Sequence, residues 1–437
     1  MAWRWQNAVT TGKAPSARTL YASALVDDEL FVVGGWDGEH AFGDGFALGL
    51  DSLRWRSLAI RPTPAKGNNA VKLDGRIFFG SAAISTTLFI HGGCELSNLA
   101  AVHDDTLALD LETGVLKRVN VEGVAAKINR HSLTARGTEL WMFGGQMGRG
   151  EGTTPWTDGL YKLDLGPWIS SGGVEPAQWH QITNDGFVPY MRSHACFVAL
   201  PLPRPYLLLM GGGDAEGDFD DAYTLDVRTG YWHRLTNVSA PEGSGFVRTV
   251  MTQHACALVE LRAPQRGAAA AATDLALITF GGFGGNASDG WGGAKARDDH
   301  NRMSKTLSLR LGPSSRADAW GWSNLRQSGT PLEARMGHRL LAPNSSCLVS
   351  FGGNAKGHHL NEVLIGTPNR KFSEAEMDAQ QRALDAAEEE TDEPPVGAGE
   401  DEAEMVVVST RRTADKKSTK GKKKKKKARA AEIKEEL

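Results

Sequence analysis

A chain of 437 residues is long enough for two or three domains, and 51 glycines point to many tight turns rather than long helices. The formal net charge of −3 argues against a nucleic-acid surface spread over the whole molecule. No apolar run reaches the length of a membrane-spanning helix, and residues 1–6 lack the charged-then-apolar layout of a signal peptide. The four cysteines, Cys94, Cys196, Cys256 and Cys347, lie far apart without metal-ligand spacing. They predict free thiols, no disulfide framework and a cytoplasmic or nuclear location.

The first predicted element is a short strand at Trp3-Arg4-Trp5-Gln6-Asn7. From there one pattern recurs six times: a run of apolar, β-prone residues closed by two glycines. The pairs are Gly34-Gly35, Gly92-Gly93, Gly144-Gly145, Gly211-Gly212, Gly281-Gly282 and Gly352-Gly353, spaced by about 50 to 70 residues. The fourth copy shows the unit most clearly. Residues 193–200 read as a first strand, 206–210 as a second ending in the glycines, 222–227 as a third and 231–235 as a fourth, an antiparallel meander. The second strand is apolar on both faces, as expected of a strand packed between two neighbouring sheets. Fourth-strand tryptophans, Trp55, Trp179, Trp232 and Trp322, offer large plates to the adjacent sheet, with Leu116 at this place in the second copy. The second copy also carries extra sequence, residues 67–80, read as an insertion or a longer strand. The sixth copy ends after residues 361–365 without a fourth strand, and the N-terminal strand is the candidate to supply it. That closure would remove an exposed sheet edge.

These marks resemble the Kelch repeat: the double glycine, third strands such as Leu160-Tyr161-Lys162-Leu163-Asp164 and Tyr223-Thr224-Leu225-Asp226, a later tryptophan, and the first-strand signatures Arg192-Ser193-His194-Ala195 and Arg335-Met336-Gly337-His338. The resemblance covers about residues 1–367. It implies an all-β fold, a six-bladed Kelch-type β-propeller. It also implies a non-catalytic protein-interaction module or adaptor that uses one face for a partner protein or peptide. Some Kelch propellers are similar to readers of acidic peptides or chain ends, so a substrate receptor of a cullin-type ubiquitin ligase is one alternative. A small-GTPase trafficking effector is another, and a metal-dependent enzyme a third.

Antiparallel order places the connections between second and third strands, and those between blades, on one face. Arginines stand just before several first strands: Arg18, Arg130, Arg192, Arg248 and Arg335. Planar guanidinium forks suit carboxylate recognition, so these are candidate partner-binding residues on that face, or else braces to loop aspartates. Trp36, Trp156 and Trp291 in the loops are candidate anchors. The histidines His131, His194, His254 and His338 recur at the repeat period and are expected to pack rather than hold metal. No Gly-x-Ser-x-Gly elbow, phosphate loop, His-Glu-x-x-His or Cys-Tyr-His set occurs, so no catalytic residue, metal or cofactor is expected.

Past residue 367 the composition changes. Residues 368–390 read as a linker and one short helix, with a capping-box start at Ser373 and Glu376. Residues 391–437 read as a disordered tail, acidic and then lysine-rich. The run Lys422 through Lys427 suits a nuclear-import signal, or weak nonspecific contact with nucleic acid or an anionic surface.

Overall fold

The computed structural model describes residues 2–63, 71–73, 75–123, 126–148, 155–183, 186–201, 205–235, 252–261, 274–282, 306–311, 321–324 and 326–369. Arg248, Trp291, the expected helix at residues 375–390 and the charged tail lie outside them. The described chain is almost entirely strand. Its one α-helix among the described residues is the five-residue Gly166–Ser170, between the third and fourth strands of the third repeat.

Each double-glycine run is the second strand of a sheet of four or five strands, and six such sheets are present among the described residues. The first is Ala22–Val26, Glu29–Val33, Gly45–Gly49 and Arg54–Leu58 in antiparallel order. The fourth is Cys196–Ala199, Tyr206–Met210, Ala222–Asp226 and Trp232–Arg234. In the second repeat, Gly80–Ile84 is the first strand, while Arg76–Ile77 forms a separate short pairing with Cys94–Glu95. The extra sequence before Gly80 therefore adds no strand to that sheet's meander.

The first strands lie side by side in chain order. Ala22–Val26 touches Gly80–Ile84, followed by Ser132–Arg136, Cys196–Ala199, Ala255–Leu261 and Arg339–Asn344, which returns to Ala22–Val26. This closed circuit explains the doubly apolar second strands. Phe31 and Val33 pack towards the second sheet with Leu88 and Ile90, while Leu30 and Val32 pack towards the sixth with Val349 and Phe351. Alternate side chains of one strand thus serve two different cores, which is the period-two geometry of a buried strand. Six such clusters occupy the six junctions between sheets.

The glycine pairs sit where these junctions are tightest. Gly144 and Gly145 both have positive φ, 70° and 95°. A Cβ on Gly144 would lie 2.2 Å from the carbonyl oxygen of Arg192 in the next sheet, and one on Gly145 2.5 Å from that of Asn129 in its own. The Gly145 N–H donates to the same Arg192 carbonyl at 2.8 Å. Gly93, Gly282 and Gly353 make the equivalent bonds to Ile128, Arg335 and Arg18. Only glycine meets both demands, a left-handed backbone and a carbonyl at contact distance.

In four junctions the residue just before the pair faces a tryptophan of the following sheet. Trp179 meets His91, Trp232 meets Phe143 and Trp55 meets Phe351, with centroids 4.9, 5.1 and 5.4 Å apart. In the sixth sheet this place belongs to Trp5, 6.0 Å from Phe280. The N-terminal strand Ala2–Asn7 lies inside that sheet, antiparallel to Val363–Asn369 and parallel to Arg326–Gly329. Trp3 and Trp5 are fully buried. The segments between sheets, such as Thr11–Gly12 and Arg61–Pro62, run parallel along the outer strands and cover edges that would otherwise be open.

One expectation is corrected. Cys196 and Cys256 are joined by a disulfide between the first strands of the fourth and fifth sheets, while Cys94 and Cys347 are not disulfide-bonded. Cysteines 60 residues apart look unrelated in sequence. Because that separation is one repeat, closure of the ring lays them side by side.

The sixth sheet depends on its N-terminal strand. Trp5→Ala should cost about 3–5 kcal/mol in urea unfolding, and deletion of residues 1–10 more. An unchanged unfolding midpoint for the deletion would contradict the pairing.

Candidate functional site

Four arginines occupy one repeated position, four residues before the first strand's opening pair: Arg18, Arg76, Arg192 and Arg335. All are at most 3% exposed. Each guanidinium is held by a glycine-turn carbonyl and an acid, as Arg18 illustrates, and in Arg18, Arg192 and Arg335 the Nε also donates to a nearby carbonyl. The Nη1 of Arg18 donates to the carbonyl of Gly34 at 2.9 Å and to Asp44 at 2.6 Å, and its Nε to the carbonyl of Ser16 at 3.0 Å. Arg76 uses Gly92 and Asp105, Arg192 uses Gly211 and Asp221, and Arg335 uses Gly352 and Glu362. Aromatic rings cover the guanidinium planes of Arg18 and Arg192, Phe42 at 4.2 Å and Phe219 at 4.3 Å. The acid closes the loop between second and third strands, so each arginine ties that loop to the glycine turn. For Arg18, Arg192 and Arg335 this differs from the expected exposed fork: their donors are spent inside the blade. The sequence reading missed Arg76, which has the same offset from its first strand.

Arg130 is out of phase with this set by two residues. It belongs to a second repeated position, held by Leu20, Phe78, Arg130, His194, Gln253 and Gly337. All six have positive φ, from 51° to 62°. Five consecutive backbone bonds join them around the axis. Leu20 N–H donates to Gly337, Gly337 to Gln253, Gln253 to His194, His194 to Arg130 and Arg130 to Phe78, at 2.8–3.3 Å. The left-handed turn is what aims each N–H sideways at the neighbouring sheet instead of along its own strand.

These six residues lie at the loop-bearing end of a central cavity of about 230 Å3. The Arg130 guanidinium stacks on Phe78 at 4.0 Å. Deeper in the wall stands Arg339, whose Nε donates to the Tyr21 carbonyl at 3.3 Å. Among the described residues no aspartate or glutamate lines this space. His194 lies in the field of both cations. Burial, then Arg130 and Arg339, lowers its pKa to about 3. Burial and neighbouring cations also hold His338 well below the usual imidazole range. These histidines are neutral at physiological pH.

His131 and His338 pack as expected of structural residues. Their rings lie against Gly80 and Gly281 of the preceding sheets, where a Cβ would come within 2.3–2.5 Å. Among the described residues no cluster of His, Cys, Asp and Glu could hold a metal ion.

Trp36 is buried, with its ring edge-on to His359 at 5.4 Å, so it joins the first and sixth sheets' loops instead of facing solvent. Trp156 is half-buried and bridges to Gln146. Arg248 and Trp291 lie outside the described residues. The exposed aromatics are others. Phe187 stacks on Tyr223, and Tyr190 meets Phe219 edge-on, beside Arg192. Both lie in the segment that leads into the fourth sheet's first strand. Their signal was faint, because they sit in a connecting segment without repeat counterparts.

The model of the KLHDC2/KLHL20/DRC7 Kelch-repeats domain matches residues 78–262. That stretch is Kelch-repeat sequence. Kelch-repeat domains are typically non-catalytic interaction domains, and the all-β propeller described above is their fold. Acyl-CoA-binding domain-containing protein 5 of Arabidopsis thaliana is 24% identical over 394 residues, covering 85% of this chain and 49% of that protein. The flagellar outer arm dynein alpha chain of Chlamydomonas reinhardtii is 24% identical over 249 residues, 53% of this chain and 5% of that protein. The chain spans half or less of the curated relatives it matches.

Two measurements test the division between bracing and channel residues. Arg192→Ala should cost about 3–5 kcal/mol, because it strands Asp221 without its partner. Arg130→Ala should cost only about 1 kcal/mol, the scale of its cation–π contact. The second concerns Asp218, in the loop that Asp221 closes. Burial and then Asp214 raise its pKa from 3.8 to about 7. The folded state therefore keeps a proton that the unfolded chain loses near pH 3.8, and stability falls as pH rises from about 4 to 7. Asp218→Asn should raise the melting temperature at pH 8 and leave it nearly unchanged at pH 4.

Proposed function

We propose that this Kelch propeller is a non-catalytic adaptor that receives a partner protein or peptide across the loop-bearing face, with an acidic segment of the partner at the cavity mouth. One observation carries the reading: the central cavity is lined, among the described residues, by Arg130 and Arg339 and by no carboxylate, and the segment entering the fourth sheet exposes two aromatic rings, Phe187 and Tyr190. Aromatic anchors next to a cationic opening supply contact area and charge complementarity together. The other four arginines support this role indirectly, by fixing the loops that frame the mouth. Of the residues expected from sequence, Arg130 is the one whose placement favours direct contact. Arg18, Arg192 and Arg335 enter as supports of the same face.

Affinity capture with the full-length chain tests this. Partners enriched by the wild type should fall at least about tenfold with Arg130→Glu, which reverses the charge and so adds repulsion. They should persist with Tyr231→Ala, an exposed ring at the turn on the opposite face. Melting curves would confirm that both variants fold. Equal capture by all three proteins would reject the face.

A further inference from the structure

The junction between the fourth and fifth sheets is filled differently from the other five. Each of the others holds at least two buried aromatic side chains, such as Phe31 and Phe79 between the first and second sheets, or Trp5 and Phe280 between the fifth and sixth. Among the described residues, the buried cluster between the fourth and fifth has no ring. It is built from smaller groups such as Leu208, Met210, Leu275 and Leu277. Aromatic plates contribute most to such packing, so this junction is the weakest in apolar contact. Its backbone link is also the longest of the five in the belt, from the Gln253 N–H to the His194 carbonyl at 3.3 Å.

The Cys196–Cys256 disulfide joins the same two sheets, a few residues along from that bond. Along the fifth sheet's first strand, Ala255, Ala257 and Val259 serve the core shared with the sixth sheet, while Cys256 and Leu258 turn to the fourth. Both cysteines line the central cavity of about 230 Å3, which has room for a small solute and waters. Cys196 is 3% exposed, whereas Cys256 is only half-buried. Exchange with a solvent thiol proceeds by attack on an accessible sulfur, and access therefore favours Cys256. A covalent clasp thus stands at the junction that most depends on it, beside a space from which it can be reached.

We propose that Cys196–Cys256 is a reversible thiol-exchange site, opened by a low-molecular-weight thiol of the glutathione class that enters the central channel. The entering thiolate attacks Sγ of Cys256. The Cys196–Cys256 bond breaks, and Cys196 leaves with the electron pair and takes up a proton. A second thiolate attacks the sulfur of the attached thiol, forming the small disulfide and releasing Cys256, which is protonated in turn. Two electrons and two protons pass to the protein as two small thiols become one small disulfide, and that disulfide runs the sequence backwards. With the clasp open, aliphatic contact and one long hydrogen bond remain at this junction, which becomes the seam of the ring.

Purified full-length protein, without any partner, is equilibrated at neutral pH in buffers of defined reduced-to-oxidised glutathione ratio and alkylated without denaturant. Cys196 and Cys256 should become reactive together, with the same titration from either direction, while circular dichroism stays native. On reduction, amide exchange in Cys196–Ala199 and Ala255–Leu261 should quicken at least about tenfold, and that in Ser132–Arg136 should not change. Oxidised glutathione should form a mixed disulfide with Cys256 in Cys196→Ser at least about tenfold faster than with Cys196 in Cys256→Ser. If either variant fails to fold, the wild-type titration and exchange decide. Reduction only at the rate of global unfolding, or reduction that leaves exchange in both strands unchanged, overturns the assignment. So does faster adduct formation at Cys196. With no partner present, none of these results bears on the adaptor reading.

Discussion

The glycine-to-carbonyl contact between neighbouring sheets is the constraint on which this propeller depends. At each full contact, one N–H of a left-handed glycine reaches the main-chain oxygen at the base of the next sheet's first strand. In three of these contacts that oxygen belongs to a bracing arginine, Arg18, Arg192 or Arg335, and in the fourth to Ile128. Each of these arginines therefore binds backward through its carbonyl and inward through its guanidinium. Loop position, sheet spacing and ring closure are set together, and side-chain packing of the tryptophans fills what the backbone contact leaves.

This coupling explains why the face can vary while the scaffold does not. The loops between second and third strands differ in length and composition, yet each of the braced four ends on an acid at a fixed distance from its arginine. Specificity can be rewritten between those fixed ends without disturbing the junctions. The channel is a different environment. Its wall is built from first strands, and its six left-handed residues form a nearly complete belt of backbone bonds whose side chains (leucine, phenylalanine, arginine, histidine, glutamine and glycine) share no chemistry. Uniform backbone and dissimilar side chains are what a rigid frame with a particular ligand preference would show.

Much of the fold was legible in the sequence because its signals are local and repeated. The double glycines, the doubly apolar second strands and the tryptophans mark contacts that recur from unit to unit, and the orphan strand at Trp3 and Trp5 announced itself by the missing fourth strand at the other end. The site was less legible. Arginines before the first strands looked equivalent, but a two-residue difference in phase separates Arg130, in the channel, from Arg192, inside the blade. Arg76 was hidden by the extra sequence ahead of Gly80. Arg339 carried no signal of its own in the sequence, and only closure of the ring brings it to a common cavity. The Cys196–Cys256 bond was invisible for the same reason, since neighbourhood across sheets is a property of the circle and not of the chain.

The N-terminal strand has a consequence for how the molecule is made. Its partner, Val363–Asn369, leaves the ribosome more than 350 residues later. Until then, five units can stack in the order of their synthesis while the two apolar indoles of the leading strand have no home. The closing pairing joins strands made more than 350 residues apart, so every nascent molecule passes through an open crescent with sticky ends. Chaperone engagement, or exchange of leading strands between two copies, would have its opportunity in that interval.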